Sequence, residues 1–454
     1  MTKKSWIILI ASLVVLCVVI TLIVVMAIGS MFMCHTGKPQ SQFAGSVEQE
    51  WISSCRYGVN FFTGAQDIAV DKQGNVYITS MGDCSHTVKF NSAGDNLWIA
   101  NSSRLDIATI AVGNQGGVYV AGLRSDNAST TELAILKYDA DGKEIWVVKR
   151  SGPYDITEWV SMGFDKQDNV YVAVTSNQAF YIMKYNGSDG AELWAVDHEV
   201  SCGRLGSISM AVDNSGNVYA SGTSEIVRYD NNGKELWTIS TKEQEENCGG
   251  YCLLALDPQM NIFMASYIQR DYVFEDGTND WQGGYRVAKY DGNGSNIWSI
   301  AHYGVPCEGC ARSESTVDLG FPRDVAVDEQ GNFYIVGEFK TVEYSAEGAL
   351  RWTNKGGNAL ALDGMGNTYV TGTDGKWCVT TKYSPDGTKS WAARYWGGLE
   401  DFWGWDSIPN AIALDLSGNV YIAGTNIYKI CPEFFTDSTE RDYTEYITIK
   451  YRQQ

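Results

Sequence analysis

The chain has 454 residues and a formal net charge of -20, with 19% charged and 12% aromatic positions. So acidic a surface repels phosphate backbones, and no basic run of five or more interrupts it, which excludes nucleic acid as a partner. Gly is abundant at 47 and Pro scarce at 8, the balance of many short strands joined by glycine-bearing turns.

The first element is apolar. Trp6 to Met33 carries no charge and is long enough to cross a bilayer as a helix, and Lys3 and Lys4 before it favour a cytoplasmic N-terminus. A cleaved signal peptide is the competitor, with Ala27-Ile28-Gly29 as its cleavage site, but its apolar core would be only roughly 7–15 residues. A lipoprotein Cys34 is disfavoured by Met31 and Met33, where small residues are wanted. The expectation is a cytoplasmic tail over 1–5, a single-pass anchor over 6–33, a linker over 34–47 and an extracytoplasmic domain over 48–454. Four Asn-x-Ser sequons, at Asn101, Asn127, Asn186 and Asn293, would then be open to glycosylation.

A hairpin pattern begins at Asp67 (D-I-A-V-D-K-Q-G-N-V-Y-I) and returns at Ile110, Met162, Met210, Leu254, Val325, Leu360 and Ile412. From Asp71 to Asp415 the copies step by about 49 residues, which suits a four-stranded propeller blade. An Asp ends the first strand in seven copies, with Gly113 the exception, and is expected to cap the turn, while Gly supplies a positive φ. A second half-motif follows each hairpin. Its tyrosine-like positions are Phe90, Tyr138, Tyr185, Tyr229, Tyr290, Tyr344, Tyr383 and Tyr451. Tryptophans follow at 98, 146, 194, 237, 298, 352 and 391, but none follows Tyr451. Trp51, ahead of the first hairpin, supplies the eighth. The expected fold is therefore all-β: an eight-bladed β-propeller whose N-terminal strand completes the last blade, leaving no open sheet edge at the closure.

The hairpin resembles the repeat of the seven-bladed-propeller family, and Tyr138-Asp139-Ala140-Asp141-Gly142-Lys143-Glu144-Ile145-Trp146 is similar to the tryptophan-docking motif of quinoprotein-like propellers. The resemblance implies either dehydrogenases using pyrroloquinoline quinone or non-enzymatic outer-membrane assembly lipoproteins. The enzymes would be expected to carry an adjacent Cys-Cys pair, and no two cysteines are adjacent here. No cofactor is expected, neither the quinone nor calcium.

In such a ring the strand-two-to-three loops and the blade-to-blade loops share one face, and the short turns share the other. The long insertions, 241–253, 268–286, 301–323, 394–410 and 425–445, all fall on the first face, where function is expected. So do the cysteines. Outside the cytoplasm Cys55, Cys84, Cys202, Cys248, Cys252, Cys307, Cys310, Cys378 and Cys431 are disulfide candidates. Four of these, Cys248, Cys252, Cys307 and Cys310, could instead hold zinc, though the compartment favours disulfides. Aromatics beside carboxylates suit sugar or protein binding: Trp396, Glu400, Asp401, Phe402, Trp403, Trp405 and Asp406, and more loosely Tyr272 and Trp281. The competing reading is that these rings fill gaps between blades. The four histidines, His35, His86, His198 and His302, form no ligand spacing, and no carboxylate pair stands out. The expectation is a cell-membrane propeller that binds a protein or glycan through its loop-rich face. The alternatives are an enzyme, quinone-dependent or glycan-active, with its site at the channel mouth, and a structural cell-surface component.

Overall fold

The computed structural model describes residues 34–37, 41–44, 47–56, 64–82, 85–101, 105–126, 130–154, 160–176, 179–200, 208–222, 225–241, 251–273, 279–304, 319–397, 405–430 and 441–453. They form strands and no helix, arranged as eight antiparallel sheets. Blade one is Ala65–Val70, Val76–Ser80, His86–Phe90 and Asn96–Asn101. The first strands of successive blades lie side by side, and that of blade eight, Trp405–Leu414, meets Ala65–Val70 to close the ring. Blade eight takes its fourth strand, Val47–Arg56, from the N-terminus; it pairs with Arg441–Gln453, Val47 opposite Gln453. The anchor expected over 6–33 lies outside the described residues, among which no helix is long and apolar enough to cross a membrane.

Residues 34–44, expected within a linker, supply two further strands. Cys34–Gly37 adds to the outer edge of blade eight, Cys34 opposite Cys55, and Ser41–Ala44 adds to blade seven, Ser41 opposite Tyr395. The insertion expected over 268–286 is largely an extended hairpin, since Ile262–Val273 and Asn279–Tyr290 stay in register out to Val273 and Asn279.

The repeated Asp is a turn cap, for a reason visible atom by atom. Asp71 Oδ1 accepts the backbone N–H groups of Gln73 and Asn75 at 2.9 and 2.8 Å, and its Oδ2 accepts Asn75 Nδ2 at 2.7 Å and the Tyr77 hydroxyl at 2.9 Å. The same Asp–Asn cage recurs at Asp165, Asp213, Asp257, Asp328, Asp363 and Asp415. A cation from the third strand completes several cages. Lys184 lies 3.3 Å from Asp165 and over the Tyr171 ring, and Lys289 lies 3.7 Å from Asp257. Burial alone would raise the Asp165 carboxyl; the Asn169 hydrogen bonds and the Lys184 charge hold it below its usual range.

Two positions where Gly is expected at positive φ hold other residues, Asp168 (φ 61) and Met260 (φ 63). Asp168 repairs the one turn that lacks its own acid. Its carboxylate reaches into blade two and accepts the N–H groups of Asn114 and Gln115 at 2.7 and 2.9 Å. A Cβ on Gly113 would stand 2.9 Å from that carboxylate, so the missing acid of blade two and the extra acid of blade three are one exchange.

The tryptophans join the blades. Trp98 donates its indole N–H to Ala140 O in the next blade at 3.0 Å, and its ring covers Gly142, where a Cβ would sit 2.5 Å away. Trp51 repeats this contact across the closure, donating to Ser92 O at 3.1 Å and covering Gly94. The alternating Val and Tyr of each second strand bury both sheet faces, as at Tyr119, Tyr171, Tyr219 and Tyr421.

Candidate functional site

Eight parallel-running first strands leave a central channel that opens on both faces: a cavity of about 320 Å3 at the turn end is lined by Asp213, Asp257 and Asp328 among others, and further cavities lie at the mouth on the loop face. A cavity of about 260 Å3 is lined by Gln66, Asp67, Thr109, Arg323, Asp324, Asn358 and Asn410 among others. A neighbouring cavity of about 210 Å3, lined by Val160, Ser209, Tyr251 and Phe321, continues it across the remaining blades.

Local sequence explains why polar groups gather here. Bulges in the first strands fall between Ala65 and Asp67, between Pro322 and Asp324, and between Pro409 and Ala411. Each inserts one residue and re-aims its neighbours. Gln66 Oε1 accepts Ala108 N at 2.6 Å, Asn410 donates to Ala65 O at 2.7 Å, and Asn358 donates to Pro409 O at 2.7 Å. These bonds stitch one inner strand to the next where no ladder can.

Asp67 and Asp324 do the same with carboxylates. Asp67 Oδ2 accepts the Thr109 hydroxyl at 2.6 Å and Ile110 N at 3.0 Å; Asp324 Oδ2 accepts Leu360 N at 3.0 Å. Both side chains are surrounded by protein apart from an opening to the channel. That burial pushes Asp324 up to about 6, despite the backbone donors, with the Asp67 charge adding to the rise. Asp67 is raised by the same cause. Sequence reasoning passed over this pair. The available signal was an acid four residues before the capping Asp in two of the eight repeats.

The expected binding residues are placed unevenly. Trp396 follows directly on the fourth strand of blade seven, Lys389–Tyr395, on the loop face. It is half-buried against Trp377, ring centres 5.8 Å apart, and its indole N–H is shielded from solvent. Trp377, in the strand-two-to-three hairpin of that blade, was not anticipated. Trp405 and Asp406 open the inner strand of blade eight, opposite Tyr428 and Ile427. Tyr272 and Trp281 lie one register step apart near the tip of the blade-five hairpin, paired with Asp280 and Asp271 respectively. Glu400, Asp401, Phe402 and Trp403 lie outside the described residues. A buried polar cluster supports this corner: Ser407 donates to Asn426 Oδ1 at 2.8 Å, and Asn426 donates to the Tyr395 hydroxyl at 3.3 Å.

Two of the disulfide candidates require correction. Cys252 and Cys378 are free, fully buried thiols, whose burial pushes each up to about 12. Cys252 shares a strand face with Leu254 and packs with Ile226 and Met264; Cys378 packs with Tyr395, Ile447 and Tyr451. Both point into sheet-to-sheet contacts rather than toward loops. Cys55 lies in the fourth strand of blade eight, and Cys84, Cys202, Cys248, Cys307, Cys310 and Cys431 lie outside the described residues. Among the described residues no group of His, Cys, Asp or Glu could hold a metal ion.

An eight-bladed ring latched by tryptophans over turn glycines is a β-propeller. The family model of the outer membrane protein assembly factor BamB matches residues 84–274, under half of the chain. No curated protein matches the chain. Among solved structures, the Dos1 propeller is similar at a TM-score of 0.50 and 10% identity, covering 86% of this chain and 94% of its own. The polysaccharide lyase Uly1 gives a TM-score of 0.40 at 11% identity, covering 86% and 91%. A protein of unknown function from Bacteroides caccae gives 0.35 at 14%, covering 58% and 94%. At these identities the likeness is one of fold.

Proposed function

We propose that this chain is a membrane-anchored, extracytoplasmic binding module that engages a protein or glycan through the loop face of the ring. The observation that carries this is the asymmetry of the two faces. On the turn face seven capping carboxylates are filled by the chain's own donors, whereas the loop face carries the departures from the repeat. The matched family model is that of an assembly factor, which favours a protein partner over a glycan. The apolar run from Trp6 to Met33, preceded by Lys3 and Lys4, is the anchor.

Cross-linking of the full chain in its native membrane, followed by mass spectrometry, tests the reading. Cross-links to a partner should concentrate on loop-face residues and weaken in a Trp403→Ala, Trp405→Ala variant. Cross-links confined to the turn face would overturn it. A glycan array run in parallel separates the two partner classes. An enzyme with its site at the mouth is the second reading, favoured by the raised carboxyl of Asp324. Dye reduction after addition of pyrroloquinoline quinone, or release of sugar abolished by Asp324→Asn, would establish it.

A further inference from the structure

The register of the N-terminal strands fixes which face of the ring lies nearest the anchor. In blades one to seven the fourth strand starts at a short turn and ends on the loop face. In blade eight Val47 stands opposite Gln453 at the turn end, so Cys55 lies at the loop end. Cys34, paired with Cys55, therefore also lies at the loop-face rim. Ser41, opposite Tyr395, returns the chain to the same level on blade seven.

The apolar run ends at Met33, with no spacer before Cys34. A bilayer core takes about 20 helical residues, so the remaining third of the 6–33 run spans only about 12 Å as helix, little more than the headgroup layer. Presenting the turn face instead would require the chain to pass the height of a blade. The seven-residue strand Lys389–Tyr395 makes that height roughly 23 Å, about twice the length of those remaining residues as helix. At this rim stand Trp377 and Trp396, half-buried and packed against each other. Indole rings are the side chains that settle at the level of lipid headgroups.

We propose that the blade-seven and blade-eight sector of the loop face rests on the bilayer, with the Trp377–Trp396 pair as its contact with the lipid headgroup layer. The proposal rests on the anchor reading above and adds an orientation to it. The channel mouth then opens toward the membrane surface, and the loops of blades four to six remain for a partner held at that surface.

The test uses the full-length chain in phosphatidylcholine nanodiscs, with a photoreactive benzophenone amino acid in place of exposed Lys376, beside Trp377, or of Leu416, 85% exposed on a turn-face tip. Illumination should yield a lipid adduct by mass at position 376 and none at 416. The adduct should fall severalfold in a Trp377→Ala, Trp396→Ala background that retains the wild-type melting temperature. Adducts at 416, or at neither position while the chain co-elutes with the discs, overturn the orientation and leave the anchor standing. A chain that fails to co-elute with the discs removes the anchor, and the orientation with it.

Discussion

The turn face and the loop face are made by the same eight sheets, yet they are built on different principles. Seven of the eight strand-one-to-two turns repeat one local solution, an Asp, an Asn four residues later and a residue at positive φ, and the strand-three-to-four turns beside them are covered by a tryptophan from the preceding blade, as Trp98 covers Gly142. The loop face has no such unit. Its mouth is held by one-off bonds from Gln66, Asp67, Asp324, Asn358 and Asn410, each spanning two blades. The turn face is thus stabilised locally and repeatedly, so it has little freedom to vary. The loop face owes its shape to ring closure and can vary blade by blade, which is where specificity can be built.

Breaking the closure should have the largest effect. Trp51→Ala removes the buried ring that covers Gly94 and the bond to Ser92 O across the seam. A loss of about 3–5 kcal/mol is expected, read as a lower denaturation midpoint. If this variant loses no more than Trp98→Ala, an interior latch of the same kind, closure carries no special load. Next, Asp213→Ala empties one complete cage, leaving the donors of Ser215, Asn217 and Asn217 Nδ2 without acceptors. Roughly 3 kcal/mol should be lost, with loop-face binding unchanged. A loss of binding equal to that of a loop-face variant would mean that the two faces are not independent.

The exchange between blades two and three offers a finer cut. Gly113→Asp alone drives a carboxylate onto that of Asp168, and Asp168→Gly alone strips the turn of blade two while relieving a positive φ. The double variant gives blade three the ordinary repeat and blade two its Asp, with Gly117 still standing where the other turns have Asn. It should be more stable than the sum of the single changes by about 1–2 kcal/mol. Additive effects would show that the Asp168 bonds to Asn114 and Gln115 carry no stability.

What could be read from the sequence follows the same division. The caps, the latches, the eight blades and the N-terminal closure were legible because each is a residue at a fixed offset, repeated. Cys252 and Cys378 were misread because the compartment argument outweighed the strand period, although Cys252 alternates with Leu254 like any core position. The blade-five hairpin hid because Gln269-Arg270-Asp271 shows no apolar alternation; the backbone ladder alone continues the strands there. Asp67 and Asp324 were invisible as a pair, since only the closed ring brings residues 257 positions apart to one mouth. Trp377 was missed for want of any repeat equivalent, and it lies next to Trp396 only because strands three and four of blade seven run side by side.

The smallest effect concerns protons at the mouth. Asp324 titrates at about 6 in the folded protein and near 3.9 in an unfolded chain. The folded state therefore holds the proton more tightly, so the contribution to stability is present below pH about 4 and is lost as pH rises through about 6. Asp67 is shifted in the same direction. The caps at Asp165 and Asp363 act oppositely, because carboxyls held below their usual range lose their contribution only as the pH falls below that of an unfolded Asp. Between pH 5 and 7 the mouth carboxyls act together with Glu343, also raised by burial, against the opposing pull of His302, which burial holds below its usual range. The melting temperature should rise modestly on acidification across that window, and Asp324→Asn should flatten the rise while Asp213→Ala leaves it intact. A slope unchanged by Asp324→Asn would place the titrating group elsewhere and leave the mouth carboxyls as plain inter-strand links.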